Sequence, residues 1–168
     1  MSFCYPTRIL HRVTDITPQI LMSMGVKALL LDVDNTLSEP DEQTPYPGTV
    51  EWVAALQKSG FSMMILSNNT RERVAPFAAQ YGLDFETFAM KPLPIGYLRA
   101  AHRMKISHKE CVIVGDQIFT DIIGANLCGM KSILLDPIRA EEGRSFQIRR
   151  KWEYPIRKHM GERMGKNE

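Results

Sequence analysis

Apolar positions come in short runs that break off in polar residues. Val26 to Val33 is Leu-rich and gives way to Asp32-Val33-Asp34-Asn35. Phe61-Ser62-Met63-Met64-Ile65-Leu66 gives way to Ser67-Asn68-Asn69-Thr70, and Cys111-Val112-Ile113-Val114 to Gly115-Asp116. Continuous apolar runs of this length read as strands buried on both faces of a parallel sheet. The stretches Gly48–Ser59, Arg71–Tyr81 and Thr120–Cys128 read as helices between them, and a further short extended stretch precedes Met90. Strands alternating with helices predict an α/β fold with a doubly wound, Rossmann-like parallel sheet. Thr17-Pro18-Gln19-Ile20-Leu21 adds an N-cap, a proline at the first helical position and a short helix, suited to packing on a sheet edge or a partner.

Open sheets of this class place their chemistry at the carboxyl ends of the strands. Asp32 and Asp34 fall there. Two residues apart on a regular strand they face the same way, and like charges that close repel unless a cation or a proton separates them. Asp116 reaches the same edge after a Gly that permits a tight bend, and Asp121 follows five residues later. Oxygen donors of this kind suit Mg²⁺. Asp121 has a second reading, as a first-turn acid favouring the positive end of the helix it opens. Ser67 and Thr70 offer hydroxyls at a helix entry, either as N-caps or as part of an anion cradle. Lys91, in Met90-Lys91-Pro92, reads as a surface charge or as a positive group for the same anion.

The ordered set Asp32-x-Asp34-x-Thr36, Ser67, Lys91 and Gly115-Asp116-x-x-x-x-Asp121 resembles the four motifs of the haloacid dehalogenase (HAD) superfamily, over roughly Val26 to Pro137. The forms Asp34-Asn35-Thr36-Leu37, Leu66-Ser67-Asn68-Asn69 and Gly115 to Asp121 followed by Gly124-Ala125-Asn126 resemble the YqeG group of subclass IIIA phosphatases, itself similar to mitochondrial phosphatidylglycerophosphate phosphatases. The resemblance implies a phosphomonoester hydrolase. Asp32 would be the nucleophile that forms an aspartyl-phosphate, and Asp34 the general acid and base. Ser67, the Asn68 amide and Lys91 would bind the phosphoryl group. Mg²⁺ would be held by Asp32, the Asp34 carbonyl and Asp116, with Asp121 in its outer shell. The substrate it implies first is phosphatidylglycerophosphate. Other readings are a phosphatase for a soluble sugar or nucleotide phosphate, and a ribosome- or RNA-associated binding factor on the same fold.

Spacing then shapes the domain. From Asp34 to Ser67 is 33 residues and from Ser67 to Lys91 is 24, already filled by the expected helices, strands and loops. An inserted cap domain needs on the order of 50 residues, so no cap is expected and the site should be open to a large substrate such as a lipid head group. The loop Ser38 to Pro47, with three prolines, reads as a small flap or an ordinary connection. Composition adds one domain with a real core, 44% hydrophobic and 24% charged in 168 residues. Cys4, Cys111 and Cys128 lack metal spacing and suit reduced thiols in a cytoplasmic protein. No apolar run approaches the roughly 18 residues of a membrane span, and the N-terminus lacks a signal-peptide core. The net charge of +2 conceals an asymmetry, because residues 144–168 hold eight Lys or Arg against three Glu. The expected organisation is one domain over 1–143, with its catalytic core at about 26–137, and a basic tail over 144–168. The tail, with Phe146, Trp152 and Tyr154, suits an anionic membrane surface, RNA, or a terminal helix whose aromatics pack on the domain.

Overall fold

The computed structural model describes residues 3–138, 151–158 and 160. Six strands, β1 (Arg8–Leu10), β2 (Ala28–Leu31), β3 (Ser62–Leu66), β4 (Asp84–Glu86), β5 (Cys111–Gly115) and β6 (Lys131–Leu135), form one sheet in the order β1-β6-β5-β2-β3-β4. Every pairing is parallel. The helices are α1 (Pro18–Ser23), α2 (Thr49–Lys58), α3 (Arg71–Tyr81), α4 (Pro94–Arg103) and α5 (Ile123–Leu127). The chain is a doubly wound α/β sheet, with no cap domain among the described residues. It winds outward from β2 to β3 and β4, then returns to place β5 on the other side of β2. The crevice beyond the ends of β2 and β5 is therefore the topological switch point, where such sheets bind ligands.

The continuous apolar runs are explained by two buried faces. Leu29, Leu31, Met63, Ile65, Val112 and Val114 pack with Val53, Leu56, Val74 and Phe77 of α2 and α3. Ala28, Leu30, Met64, Leu66 and Ile113 pack with Tyr97, Ala100 and Ala101 of α4 and Ala125 of α5. Alternate residues of one strand serve opposite cores, so neither face can be polar. Each fully buried Leu contributes roughly 2 kcal/mol. Asp32 continues the Ala28, Leu30 side of β2, which aims it toward the α4 layer.

Thr17 caps α1 as its sequence implies, its Oγ1 accepting from the Ile20 N–H at 3.3 Å, with Pro18 at the first position. Two expectations shift. The strand ends at Leu31, earlier than Val33, because the chain turns at Asn35 with φ 59°. The helix expected over Thr120–Cys128 is a π-turn over Ile118–Ile122 followed by α5, and the Ile122 N–H reaches back to the Gln117 carbonyl at 3.4 Å. One extra residue in that turn re-aims Asp121, a recurrent use of π-bulges at functional sites. Cys4, Cys111 and Cys128 are free thiols, and no described helix is long and apolar enough to cross a membrane.

Tyr81, at the end of α3, ties the α2 and α3 layer to the loop after β2. Its hydroxyl lies 2.7 Å from Thr49 Oγ1 and donates to the Leu37 carbonyl at 3.3 Å. Burial pushes its pKa up to about 12. Because the folded value exceeds the unfolded value of about 10, the stability this phenol contributes is complete below pH ~10 and is lost as pH rises toward 12. Tyr81→Phe has no proton to lose there. Its melting temperature should fall less steeply between pH 10 and 12 than that of the wild type; identical slopes would contradict the assignment.

Candidate active site

Lys91 organises the site. Its ammonium donates to Asp32 Oδ1 at 2.8 Å and to Asp121 Oδ1 at 2.8 Å. It is buried, so it is neither of the exposed surface charges that an isolated Lys usually is. Burial alone would depress its pKa, but the carboxylates of Asp121 and Asp32 outweigh that and hold the ammonium above its ordinary range. The Asp121 carboxyl is raised as well: burial raises it, Lys91 opposes, and Asp32 adds to the rise. Buried charges of this kind persist only when paired.

The backbone around Lys91 is clamped by Asn68. The Asn68 amide group donates to the Lys91 carbonyl at 3.1 Å and its Oδ1 accepts the Lys91 N–H at 2.7 Å. Nearby, the Ala89 N–H donates to the Ser67 carbonyl at 3.1 Å. Ser67 is buried, and its Oγ accepts the Asn69 N–H at 3.1 Å. The polar tail of β3 therefore fixes the turn that carries Lys91, which explains why amides follow that strand.

Asp116 leaves β5 one residue after Gly115. A Cβ at Gly115 would collide with the Asp121 carboxylate, so glycine is required for that side chain to fold back beneath the loop. The Gln117 N–H donates to Asp121 Oδ2 at 3.2 Å. Asp121 is thus fully buried within the π-turn and is not a solvated first-turn acid. Asp32, Asp116 and Asp121 each offer a carboxylate oxygen, all within 4.8 Å of one another. Carboxylates this close repel, and Lys91 offsets part of that charge between two of them. A buried donor set made only of oxygen fits a hard divalent cation such as Mg²⁺.

Asp34 sits apart from this cluster. Its carboxylate accepts from Asn69 Nδ2 at 3.0 Å, Arg73 Nη2 at 3.2 Å and the Asp41 N–H at 3.2 Å. Burial raises its pKa, the Asp32 charge raises it further, and Arg73 opposes both. A carboxyl with raised proton affinity is suited to proton transfer. Arg73 also donates to the Glu42 carbonyl at 2.7 Å, so the loop over Ser38–Pro47 is anchored to α3 beside Asp34. Bridges of Ser38 with Asp34 and Pro45 give that loop the form of a small flap.

Sequence reasoning did not identify Asn69 or Arg73, which lie 35 and 39 residues from Asp34. It also did not identify Glu153 and Arg157. Residues 151–158 are helical and return to the end of β5. Buried Glu153 accepts the Ile118 N–H at 2.8 Å and the Phe119 N–H at 3.4 Å. Arg157 donates to the Asp116 carbonyl and, at 3.3 Å, to the Leu135 carbonyl. Met160 packs with Ile118, Ile122 and Leu134. The inward Glu153–Arg157 pair, at helical i, i+4 spacing, was the signal available in an otherwise basic segment. Trp152 and Tyr154 face solvent, and Phe146 lies outside the described residues.

The chain is similar to known proteins. The family model described as "haloacid dehalogenase-like hydrolase" matches residues 27–129. "Probable phosphatase YqeG" of Bacillus subtilis (strain 168) is 34% identical over 142 residues, 84% of this chain and 83% of that protein. "Ribulose-1,5-bisphosphate 5-phosphatase" of Halopiger xanaduensis is 29% identical, covering 58% of this chain and 44% of its own length. "Phosphatidylglycerophosphate phosphatase 1, chloroplastic/mitochondrial" of Arabidopsis thaliana is 27% identical, covering 74% and 38% respectively.

The Glu153 contact yields a direct test. Glu153→Ala leaves the Ile118 and Phe119 N–H groups of the loop after Asp116 without their acceptor, at a cost of about 2 kcal/mol and roughly 4–8 °C in melting temperature. Glu153→Gln keeps an acceptor oxygen and should retain most of that stability. An Ala variant melting with the wild type would show that this helix does not hold the loop.

Proposed function

Because the chain belongs to the haloacid dehalogenase-like hydrolases and is a phosphatase of that family, we propose that it is a Mg²⁺-dependent phosphomonoesterase acting through an aspartyl-phosphate on Asp32. The observation that carries the reading is the Lys91 ammonium shared between Asp32 and Asp121 at the switch point, with Asp116 in the same cluster. An Asp32 oxygen attacks phosphorus and the bond to the ester oxygen breaks. Asp34, whose proton affinity burial raises, gives its proton to the leaving alcohol. It then takes a proton from the water that attacks phosphorus, which releases inorganic phosphate and restores Asp32. Lys91, the Ser67 hydroxyl and the Asn68 backbone N–H hold the phosphoryl oxygens, since the Asn68 side chain is committed to Lys91. Asp32, Asp116 and the Asp34 carbonyl would hold the Mg²⁺, with Asp121 in its outer shell. The ion would neutralise charge on the transferring group.

The substrate proposed first is phosphatidylglycerophosphate. A site without a cap among the described residues suits a head group presented at a surface, and the Arabidopsis relative carries that name. A soluble sugar phosphate is the second reading, favoured by the Halopiger relative's name. Phosphate release from phosphatidylglycerophosphate in mixed micelles, beside a panel of soluble phosphate esters, separates the two. The lipid should be preferred, EDTA should silence turnover and Mg²⁺ restore it. Asp32→Asn should lower turnover by at least about 10³-fold with the fold intact by circular dichroism. Preference for soluble esters would overturn the lipid assignment, and a fully active Asp32→Asn would overturn the mechanism.

A further inference from the structure

We propose that Arg157, on the helix over residues 151–158, is a positioning residue for the divalent cation: it holds the backbone of Asp116 so that the Asp116 carboxylate stays in the acidic cluster. The inference rests on the Mg²⁺-dependent phosphatase reading for the identity of the ion.

The β5–β6 ladder ends at Gly115 and Leu134. The next carbonyl along each strand belongs to Asp116 and to Leu135, and the Arg157 guanidinium donates to both, at 3.3 Å for Leu135. One side chain therefore takes over the spacing of the two strands where their ladder stops and Asp116 leaves for the site. A planar fork of several donors suits two acceptors at once. Glu153 Oε2 and Asp136 Oδ1 lie 3.7 and 3.8 Å from the guanidinium, outside hydrogen-bond reach. These acids balance its charge, and the carbonyls orient it.

The same helix holds the chain again two residues further on. Glu153, 1% exposed, accepts the Ile118 and Phe119 N–H groups at 2.8 and 3.4 Å. Gln117 lies between the two contacts, and its own N–H donates inward to Asp121 Oδ2. Asp116 and Asp121, two of the three carboxylates of the cluster, thus sit on one short segment that the helix grips from outside on either side of Gln117. Met160 and Ile156 seat the helix by packing with Ile118, Ile122 and Leu134.

Three carboxylates within 4.8 Å of one another repel, so the backbone that carries them must hold the set together. The Arg157 contact fixes the plane of the peptide that follows Asp116, and the Glu153 contact fixes the turn after it. Groups that orient a metal ligand from behind are typically worth about 10- to 100-fold in metal affinity. Lys91, Ser67 and Asn68, which bind the phosphoryl group in this reading, belong to other elements. Loss of Arg157 therefore weakens the cation site and leaves those groups in place.

Calorimetric titration of the substrate-free full chain with Mg²⁺, beside p-nitrophenyl phosphate hydrolysis across a Mg²⁺ series, tests this. Asp116→Asn defines the signal that arises outside the site. Arg157→Ala should bind Mg²⁺ at least about tenfold more weakly than the wild type. At saturating Mg²⁺ its KM for the ester should change by less than about threefold, because the phosphoryl-binding groups are untouched. Arg157→Lys keeps the charge but not the fork, so its affinity should fall between the two, and it decides the outcome where the Ala variant does not fold. Val53→Ala removes buried packing on α2 and should bind Mg²⁺ as the wild type does. Wild-type affinity in the Arg157 variant, or an equal loss in Val53→Ala, overturns the positioning role alone. A wild type that binds no Mg²⁺ overturns the metal reading and this inference with it.

Discussion

The Lys91 ammonium between Asp32 and Asp121 is the interaction on which the rest of the structure depends. It joins the ends of β2 and β5 to the turn before α4 with two bonds of 2.8 Å in a buried setting. Removing one member of such a set leaves uncompensated charge, typically at about 3–5 kcal/mol. The neighbouring sequence serves this contact. Asn68 clamps the Lys91 backbone, Gly115 leaves space for the Asp121 carboxylate, and the π-turn carries that carboxylate back beneath the strand end. Tyr97 braces the same turn from α4, its hydroxyl donating to the Thr120 carbonyl at 2.7 Å and its ring set against Gly124.

Much of this was legible in the chain because parallel strands announce themselves twice, by unbroken apolar runs and by the polar residues at which they stop. Leu29-Leu30-Leu31 before Asp32 and Val112-Ile113-Val114 before Gly115-Asp116 place two carboxylates at one edge with no further information. The relation of Asp121 to that edge was not legible. A π-turn has no periodicity of its own, and a helical reading leaves Asp121 as a first-turn acid. Asn69 and Arg73 were hidden for another reason: their partner Asp34 is distant in sequence, and a helix-borne Arg reads as surface charge. Glu153 and Arg157 are concealed by the basic segment around them, whose net charge hides the inward stripe of Glu153, Ile156, Arg157 and Met160.

The two carboxylates of the first strand end illustrate how environment divides roles. Asp32 faces the buried Lys91 ammonium and the carboxylates of Asp116 and Asp121. Asp34 faces Arg73, Asn69 and the flap, where burial raises its proton affinity and the guanidinium limits the rise. Distinct surroundings for two neighbouring acids are the usual means of giving them different tasks.

The central claim is that Asp32 carries the phosphoryl group. Its most direct test is to quench Asp34→Asn with acid during turnover and to locate the bound phosphate by peptide mass spectrometry after hydroxylamine or borohydride treatment. With p-nitrophenyl phosphate, whose leaving group needs no proton from Asp34, the account predicts an acyl phosphate on Asp32, accumulating because water activation is slowed while transfer to the enzyme still proceeds. Phosphate release by this variant with no covalent species at Asp32, or with phosphate on another residue, would contradict it.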